Sequence, residues 1–455
     1  MSSALGIGTV LVANRGEIAL RVIRACRDLG LRSVAVYSDA DAHAAHVRHA
    51  DAAVHLGKSS ASKSYLNVDA LLGAAREAGA DAVHPGYGFL SENAGFARAV
   101  VDAGLVWVGP SGDVIERMGD KATARTTAEA AGVPVVPGSG VVASVDEAVA
   151  AAGDVGYPVL VKASAGGGGR GIRPAANADE LRRVVDEARR EASSAFGSDA
   201  VYVERALQHP KHVEVQVLAD THGHVVHVGE RDCSLQRRRQ KLVEEAPAPG
   251  LDPALRERMC TAAADLAREV GYVGAGTVEF LVEEGQHADR GEFFFIEMNT
   301  RIQVEHPVSE LVTGVDLVAE QLRVAGGEPL SVTQPDVVVR GAAVEFRVNA
   351  EDPDEDFLPS PGEITALELP GGPGVRVDTA LAVGDVVPPF YDSMVAKLAV
   401  WGPDRPTALA RARRALAEYR VEGVPTTLGL HRRLVDEPAL VAGTHDITTL
   451  ERLLG

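Results

Sequence analysis

Cysteine is scarce in this sequence, and positive charge is outnumbered. The three cysteines, Cys26, Cys233 and Cys260, are few and odd in number, so a disulfide framework is not expected and a reducing compartment, by default the cytoplasm, is favoured. Lys and Arg total 45 against 64 Asp and Glu, and the net charge of −19 opposes general binding to nucleic acid or anionic membranes. Any anionic substrate must therefore meet a local cluster of positive charge.

Long apolar runs are missing as well. The N-terminal residues show no basic region followed by a long apolar one, so no secretory signal is predicted, and no uncharged apolar run is long enough to span a bilayer. The 46% hydrophobic and 24% charged residues are typical of a globular protein, and a length of 455 residues suggests two to four domains.

The first part of the chain alternates strand and helix patterns. An apolar run at Thr9–Ala13 is followed by helical spacing at Glu17–Leu29, which Gly30 ends, and by a second apolar run at Ser33–Tyr37. Similar alternation continues to Val108. The order predicts βαβ units and a doubly wound α/β domain.

The pattern divides the chain into successive units. We predict an N-terminal doubly wound domain at residues 1–118, a linker at 119–133, a small strand-and-helix unit at 134–206 and a large mixed α+β unit at 207–455. The segment HPGYGFLSEN at residues 84–93 has two interpretations, a tight connection with buried rings or a direct substrate contact.

The stretch FIEMNTRIQVEHP at residues 295–307 carries the most informative pattern. In an extended strand its unbroken alternation places five polar side chains on one surface, namely Glu297, Asn299, Arg301, Gln303 and Glu305. Two carboxylates, two amides and a guanidinium predict the floor of an active site, roughly 25 Å long at the usual strand rise. The alternative is an amphipathic edge strand whose outer face is charged.

A second informative stretch, YPVLVKASAGGGGRGIR at residues 157–173, joins a cation to a run of glycines. The apolar residues before Lys162 predict a strand that ends there, and Gly166–Gly169 offer backbone amides that no Cβ obstructs. A cation on a strand facing such a loop is suited to hold phosphate. The stretch predicts a lid over nucleotide phosphates, although no Gly-Lys-Ser/Thr closes it as in a Walker A loop.

Two further segments add charge to the candidate site. Arg237, Arg238, Arg239 and Lys241 crowd a basic cluster into an acidic protein, where it is either a solvated loop or the local anion site.

The strand GTVEFLVEE at residues 276–284 sets Glu279 among apolar neighbours and is predicted to pair with the strand of Glu297. Two carboxylates that face each other in a partly buried site repel unless a cation joins them. Oxygen ligands from Glu279, Glu297 and Asn299 suit Mg²⁺ or Mn²⁺. The alternative is a cross-strand pair at the surface.

Taken together, these motifs resemble biotin carboxylase, the ATP-grasp subunit or domain of biotin-dependent carboxylases. The matching stretches extend over nearly the whole chain and include LVANRGEIALRVIRA, HPGYGFLSENA, MGDK, ERDCSLQRR, EEAPAP, IEMNTRIQVEHPVSE, VEFRVNAEDP, FLPSPG and YDSMVAKL. The resemblance implies a Rossmann-like domain, an ATP-grasp lid at 134–206 and a large C-terminal α+β domain. It implies that ATP activates bicarbonate as carboxyphosphate and that CO₂ passes to N1′ of biotin.

The resemblance also implies roles for individual residues. ATP contacts are implied for Lys121, Lys162, Gly168, Gly169, Glu204, Leu207, His212, Gln236, Glu279 and Glu297. Of these, Glu204 and Leu207 are expected near the adenine. Two Mg²⁺ or Mn²⁺ ions are implied at Glu279, Glu297 and Asn299. Bicarbonate contacts are implied for Lys241, Arg301, Gln303 and Val304. Glu305 is the implied general base, and Arg347 is implied to stabilise the biotin enolate.

Physical chemistry favours the same roles. A bicarbonate anion beside a γ-phosphate needs cations that survive burial, and Arg301 offers a planar fork while Lys241 offers a point charge. Glu305, eight residues from Glu297 on the same predicted strand face, is expected to lie far enough from the metal to act as a base.

Two positions depart from the family pattern. Arg239 stands where His or an aromatic residue is commoner, and it is expected to alter nucleotide packing or the placement of Lys241. Ala165 stands where the glycine run often starts, and it is expected to stiffen the lid slightly.

The expected partners also follow from the resemblance. No Ala-Met-Lys-Met segment of the kind that carries biotin occurs, so a separate biotin carboxyl carrier protein is implied, or a carrier domain if the chain is a fragment of a longer polypeptide. The resemblance also implies a homodimer and a partner carboxyltransferase. The acyl acceptor, acetyl-CoA as in fatty acid synthesis or another, is not encoded here.

Two other functions are open from the residues alone. One is an ATP-grasp ligase that joins a different carboxylate to an amine, and the other is a nucleotide-binding regulatory protein without turnover. The intact set of charged residues argues against the second, and it consists of Glu279, Glu297, Lys241, Arg301, Glu305 and Arg347.

Overall fold

The computed structural model describes residues 5–163, 172–196, 199–283 and 291–454. Ala165, Gly168 and Gly169 lie outside the described residues, so the expectations placed on them stay predictions. None of the helices in the described ranges combines the length and the apolar character needed to cross a membrane.

The N-terminal unit is built on five parallel strands with helices on both sides. The strands are β1 Thr9–Val12, β2 Arg32–Ser38, β3 Ala52–Gly57, β4 Ala82–His84 and β5 Val106–Trp107, and the helices are α1 Gly16–Asp28, α2 Ala45–His49, α3 Val68–Ala78, α4 Ala94–Asp102 and α5 Gly112–Gly119. The sheet order is β3-β2-β1-β4-β5, and every pairing is parallel. Strand β1 is an apolar run because helices cover both faces of a doubly wound sheet. The predicted doubly wound α/β unit is confirmed.

A smaller antiparallel sheet follows. Its elements are β6 Gly138–Val142, β7 Val159–Ala163, β8 Ile172–Ala175 and β9 Val201–Arg205, with α6 Lys121–Ala130 before them and α7 Val145–Val155 and α8 Ala178–Phe196 between them. The strands pair in the order β6-β9-β7-β8. Helix α8 buries Leu181, Val185, Ala188 and Ala192, whose spacing of three or four residues forms one apolar stripe against this sheet.

The remaining residues form the large mixed unit, in agreement with the predicted α+β class. Its strands are β10 Lys211–Ala219, β11 Val225–Arg237, β12 Gln240–Ala246, β13 Gly274–Glu283, β14 Glu292–Asn299, β15 Ala342–Asn349, β16 Glu351–Asp352, β17 Leu358–Pro359, β18 Gly362–Glu363, β19 Ala366–Glu368, β20 Val375–Thr379, β21 Val386–Val387, β22 Met394–Gly402 and β23 Arg420–Glu422. Its helices are α9 Pro253–Glu269, α10 His306–Thr313, α11 Leu317–Ala325, α12 Arg405–Glu418, α13 Leu428–Leu434, α14 Pro438–Ala442 and α15 Thr449–Leu454.

Eight of these strands make one antiparallel sheet, in the order β14-β13-β10-β11-β12-β15-β22-β20. Side chains alternate between its faces, so on β10 the residues Val213, Val215 and Val217 join the apolar core that includes α9. Glu214 and Gln216 point to the opposite face, where α10 and neighbouring segments bury them. The candidate site lies on this second face.

The strand predicted to run from Glu297 to Glu305 is shorter than expected. Its last pair with β13 joins Thr277 and Asn299, after which the backbone turns and enters α10. Pro307 in the first turn of α10 is suited to a helix start, and a polar alternation cannot distinguish this turn from a continuing strand. The five polar side chains therefore do not share one strand face, and the expected floor of roughly 25 Å along a single strand is wrong.

Candidate active site

Charged side chains form a row across four strands instead of along one. Glu214 lies opposite Arg231 on one side and Glu279 on the other, and Glu279 lies opposite Glu297. Directly opposite residues of antiparallel strands project from the same face. The predicted pairing of the Glu279 and Glu297 strands is confirmed, and it is this cross-strand register that brings the charges together.

Lys241 reaches into this row from β12. Its Nζ lies 2.6 Å from Glu214 Oε2, 3.0 Å from Glu279 Oε1 and 2.7 Å from Glu305 Oε1. Burial alone would lower the pKa of Lys241, but the three carboxylates raise it well above its usual value. The ammonium group is therefore a permanent positive charge, 12% exposed, at the centre of what we call the Lys241 cluster.

The arginines next to Lys241 in sequence lie elsewhere. Arg237 and Arg238 both pair with Asp356 near the surface, while Arg238 and Arg239 occupy the turn between β11 and β12 with positive φ values of 47° and 69°. The turn separates the basic cluster into two parts. Of the two interpretations of this cluster, the solvated loop describes Arg238, which is 70% exposed. Arg237 is 14% exposed and lies over the ring of Phe357, and of the four residues Lys241 is the one that contacts the buried carboxylates.

Glu305 is held between two cations. It is the N-cap residue of α10; its Oε1 accepts from Lys241, and its Oε2 accepts from Arg347 Nη2 at 3.0 Å. Burial would raise the pKa of Glu305, but Lys241 and Arg347 hold it well below the usual value, so the carboxylate is ionised. Lys241 contacts both Glu305 and Glu279, so Glu305 shares a cation with one of the carboxylates expected to hold metal, and its expected distance from the metal stays a prediction.

The other polar residues of the predicted strand also converge on Glu279. Asn299 Nδ2 and Gln303 Nε2 each donate to Glu279 Oε1 at 2.8 Å. Arg301 donates from Nε to Glu92 Oε2 at 2.9 Å and from Nη2 to Asn299 Oδ1 at 3.0 Å. The guanidinium group therefore lies between the large sheet and the segment at residues 84–93.

That segment is a tight connection that also reaches the edge of the site, while its predicted contact with substrate stays a prediction. Asn14 Nδ2 donates to the carbonyls of Pro85 and Tyr87, which makes the segment a tight connection. Glu92 accepts from the backbone N–H of Thr300 at 3.2 Å as well as from Arg301, which brings the segment to the edge of the site.

Arg231 organises the buried end of the row. It is 0% exposed, and each of its five N–H groups finds an acceptor. The acceptors belong to Glu214, Gln216, Thr277, Gln303 and Ser309. Because Gln303 Oε1 accepts from Arg231 Nη2 at 2.7 Å, the amide of Gln303 presents its NH₂ group to Glu279.

Sequence reasoning missed Glu214, Gln216 and Arg231. The signal was present, since HVEVQV at residues 212–217 alternates polar and apolar residues in the same way as residues 297–305. It also missed Lys397, which is 0% exposed and donates from Nζ to the carbonyl oxygen of Val304 at 2.9 Å. A lysine inside the apolar stretch MVAKLAV gives no sequence indication of the loop that it supports.

The carboxylates expected to hold metal differ in how they are paired. Glu279 accepts from Lys241, Asn299 and Gln303, and His212 Nε2 lies 2.8 Å from its second oxygen. In the described part of the chain Glu297 accepts no hydrogen bond, and its nearest cation is Lys121 Nζ at 4.0 Å.

The pKa values of these two carboxylates move in opposite directions. Burial, together with the negative charge of Glu279, raises the pKa of Glu297. Burial acts the same way on Glu279, but Lys241 and His212 outweigh it and lower its pKa. A divalent cation beside Glu297 relieves the repulsion, so the oxygen donors of Glu279, Glu297 and Asn299 fit Mg²⁺ or Mn²⁺.

A cavity of about 440 Å³ lies between the small sheet and the edge of the large one. Apolar atoms of Ile172, Tyr202, Leu281, Phe295 and Ile296 line it, as do the cationic side chains of Lys121, Arg125, Lys162 and Arg239. Glu204 is buried in its wall, where it accepts from Lys162 and, at 2.9 Å, from Arg125 Nη1. The cavity combines apolar walls with cations, as a nucleotide requires.

Only some of the residues expected to contact the nucleotide line this cavity. Lys121, Lys162 and Glu204 line it, and Arg239 lines it too. Of the residues that the structure describes, the lining set does not include Leu207, His212, Gln236, Glu279 or Glu297.

Comparisons with known protein families divide the chain into three matched parts. Residues 6–115 match the family described as biotin carboxylase, N-terminal domain, and residues 345–452 match the biotin carboxylase C-terminal domain. Residues 120–333 match the family described as carbamoyl-phosphate synthase L chain, ATP binding domain.

Similar proteins cover nearly the full length. A biotin carboxylase from Nostoc sp. is 52% identical over 435 residues, which is 95% of this chain and 96% of that protein. One of the pyruvate carboxylase subunits from Methanothermobacter thermautotrophicus is 52% identical, and the match covers 97% of this chain and 90% of that protein.

A solved structure of the biotin carboxylase domain dimer of Hydrogenobacter thermophilus 2-oxoglutarate carboxylase, in complex with MgADP, ADP and bicarbonate, is also similar. It is 47% identical with a TM-score of 0.89, covering 98% of this chain and 97% of its own.

Proposed function

The chain belongs to the biotin carboxylase family, and on that premise we propose that it uses ATP and bicarbonate to carboxylate biotin on a biotin carboxyl carrier protein. Bicarbonate attacks the γ-phosphorus of ATP to give carboxyphosphate and ADP; carboxyphosphate then releases CO₂ and phosphate, and N1′ of biotin takes up the CO₂ and loses its proton. The observation that carries the proposal is the Lys241 cluster, a buried positive charge bordered by ionised carboxylates in an acidic protein.

We assign bicarbonate to the space beside Lys241 and Arg301, with Gln303 and Val304 as further contacts. Without bicarbonate, the charge of Lys241 is shared among Glu214, Glu279 and Glu305. An incoming anion competes for the same ammonium group. When Lys241 turns to bicarbonate, Glu305 loses the nearest contribution of one of the three cations that lower its pKa, Lys241, Arg347 and Arg231, and its affinity for a proton rises. Glu305 then becomes a suitable base for the bicarbonate proton.

The nucleotide is assigned to the cavity of about 440 Å³, with its phosphates at the end near Lys121 and Glu297. Lys162 and Glu204 lie in its walls, and Mg²⁺ would be held by Glu297 together with Glu279 and Asn299. Bound there, Mg²⁺ neutralises charge on the phosphate oxygens. The remaining contacts proposed for ATP are those of Leu207, His212 and Gln236, and of Gly168 and Gly169 outside the described residues.

Biotin is assigned to the side of Glu305 where Arg347 lies. Arg347 donates from Nε to Glu244 Oε1 at 2.5 Å and from Nη2 to Glu305. No described residue accepts from Arg347 Nη1, so this group is available to an external oxygen. A guanidinium N–H aimed at the ureido oxygen stabilises the negative charge that develops when N1′ loses its proton.

The proposed partners follow from the family and its relatives. We infer a homodimer, as named for the Hydrogenobacter thermophilus domain, and a carboxyltransferase that receives the carboxyl group from the carrier protein. The relatives do not decide the acceptor, because a biotin carboxylase and a pyruvate carboxylase subunit are equally identical to this chain. We propose to test acetyl-CoA first, and with it a role in fatty acid synthesis. Three buried free cysteines support a cytoplasmic location.

Phosphate release from MgATP, measured with and without bicarbonate and with and without biotin, tests the function. We expect bicarbonate to be required and biotin to accelerate release, with labelled bicarbonate appearing in carboxybiotin. A rate that responds to neither addition contradicts the proposal.

Two variants separate the assigned roles. Glu305→Gln removes the base and should abolish bicarbonate-dependent ATP cleavage, whereas Arg347→Ala should retain some of this cleavage while carboxybiotin formation falls by about a hundredfold. Arg414→Ala, a change at an exposed arginine that pairs with Glu418, is the matched control. Equal loss of both activities in Arg347→Ala, with cleavage preserved in Glu305→Gln, shows that the two roles were assigned wrongly.

A further inference from the structure

Two glutamates face each other behind Arg347. Glu244 on β12 and Glu345 on β15 are directly opposite in the antiparallel register, and each is 0% exposed. Opposite residues on one sheet face have Cβ atoms about 5 Å apart. Two ionised carboxyl groups at that separation in a buried site repel strongly, so one of them is expected to hold a proton.

The contacts show which one is the anion. Glu244 Oε1 accepts from Arg347 Nε at 2.5 Å, and the two form an ion pair. Among the described residues, neither oxygen of Glu345 has a hydrogen-bond partner, and no cation lies within ion-pair distance of it. A buried carboxylate without donors is much less stable than a neutral carboxyl group in the same place.

The surrounding charges do not supply the missing partner. The groups that face the pair are Lys241 from β12, Arg347 from β15, Lys397 from β22, Glu305 before α10, and Tyr87 from the segment at residues 84–93. Lys397 is the nearest candidate, but its Nζ is bonded to the carbonyl of Val304 at 2.9 Å and lies 3.3 Å from Glu17 Oε1.

We propose that Glu345 is a protonated carboxyl group and that, with Glu244, it forms a pair of single negative charge that positions Arg347 for carboxyl transfer. Glu244 holds Nε and Glu305 holds Nη2, which leaves Nη1 for the substrate oxygen. With Glu345 neutral, Arg347 is paired with two anions only, Glu244 and Glu305. A third anion beside it would offset more of the positive charge that stabilises an anionic biotin intermediate.

The pKa directions agree with this assignment. Burial and the charge of Glu244 raise the pKa of Glu345 well above its usual value, although Lys397 lowers it. Burial also raises the pKa of Glu244 to about 7, against the opposing effect of Arg347. Because Arg347 opposes the rise at Glu244, Glu244 is the group of the pair that ionises first, and Glu345 keeps its proton.

The proton is detected directly by infrared spectroscopy at about pH 8, where a protonated carboxyl group keeps a C=O stretching band that ionised carboxylates lack. We expect the wild-type protein to show this band and Glu345→Gln to lose it. The control is Glu320→Gln, which removes a buried glutamate whose oxygens accept from Ser331 N at 2.9 Å and Ser331 Oγ at 2.6 Å. The band should be unchanged in that control, and an identical spectrum for wild type and Glu345→Gln overturns the proposal.

Stability provides a second readout that does not depend on activity. The folded protein keeps the Glu345 proton while the unfolded chain loses it above the ordinary glutamate pKa, so this group makes stability fall as the pH rises. Glu345→Gln cannot ionise, and its Tm should fall less than that of the wild type between about pH 5 and 8. Parallel Tm curves contradict a protonated Glu345.

The positioning role rests on the function proposed for Arg347 and has its own test. Glu244→Leu removes the acceptor of Arg347 Nε and should lower carboxybiotin formation on the order of tenfold more than bicarbonate-dependent ATP cleavage. Equal loss of the two activities in a folded variant rejects the positioning role but leaves the infrared result standing. If the wild type itself shows no bicarbonate-dependent cleavage, it is the proposed function that fails.

Discussion

The Lys241 cluster and the nucleotide cavity both contain cations for an anionic substrate, but they hold them differently. Lys241 is 12% exposed and contacts three carboxylates, and Arg231 beside it uses every N–H group. In the cavity Lys162 is 22% exposed and, among the described residues, pairs with Glu204 alone, while Lys121 is 55% exposed and stands 4.0 Å from Glu297. The cluster is assembled before any ligand binds, whereas the cavity keeps cations available for one.

The difference indicates a division of labour. A small anion such as bicarbonate offers few contacts, so its site must be organised in advance, at the cost of burying many charges. A nucleotide offers many contacts and can complete a partly organised cavity by itself. Changes in the cluster should therefore affect folding and chemistry together, and changes in the cavity should affect nucleotide binding alone.

The largest effect is expected from Lys241→Met. The change leaves Glu214, Glu279 and Glu305 without their shared cation, and breaking a buried ion pair in this way costs about 3–5 kcal/mol. Urea unfolding should show the loss, and bicarbonate-dependent phosphate release should disappear. Lys58→Met, at an exposed lysine, is the control. Unfolding of Lys241→Met at the wild-type midpoint shows that the cluster does not stabilise the fold.

The variant Glu297→Gln is expected to change catalysis without changing folding. Glu297 lies between the Lys241 cluster and the nucleotide cavity. Because no described residue donates to Glu297, its replacement should leave the fold intact, yet it removes the charge assigned to Mg²⁺. Turnover should fall by about a hundredfold and should require more Mg²⁺, as measured by Mg²⁺ titration of phosphate release. Normal turnover at ordinary Mg²⁺ concentration removes Glu297 from the metal site.

The sequence predicts the elements of the fold better than it predicts the residues of the Lys241 cluster. The doubly wound sheet, the strand ending near Lys162 and the pairing of Glu279 with Glu297 follow from apolar runs and their spacing, which are local signals. The predicted strand from Glu297 to Glu305 was wrong because period-two alternation continues through the turn that leads to α10.

Local sequence patterns could not predict which residues make up the Lys241 cluster. Arg231 and Glu214 enter it because β10 and β11 pair in one particular register, and Glu92 reaches Arg301 from a loop of a different sheet. Such contacts depend on strand order and on how the units pack, which residue spacing does not encode. The predicted domain limits and the predicted roles of the residues therefore stay predictions, although the residues themselves lie close enough together to form a common site.

A change in the cavity should be milder and confined to the nucleotide. Lys162 is partly exposed and makes one ion pair within the described part of the chain, so Lys162→Gln should change the free energy of unfolding by less than about 0.5 kcal/mol. The KM for ATP should rise about tenfold, because one charge-assisted contact to phosphate is lost. Loss of stability comparable to that of Lys241→Met contradicts the distinction between the two regions.

The smallest effect is expected at Arg239, the position that departs from the family pattern. Arg239 lines the cavity, and among the described residues its guanidinium group has no hydrogen bond or ion pair. Its neighbour Arg238 is paired with Asp356 at 3.3 Å and does not line the cavity, so Arg239→His and Arg238→His form a matched pair.

An exposed cation near a bound polyphosphate contributes less than about 1 kcal/mol and is screened by salt. The KM for ATP should therefore rise only about threefold in Arg239→His at low ionic strength and approach the wild-type value in high salt, while Arg238→His should not change it. This salt dependence is what an open, incompletely paired cavity predicts, since a buried contact such as those of Lys241 is screened much less. Equal KM values for the two variants at low salt show that Arg239 does not contact the nucleotide.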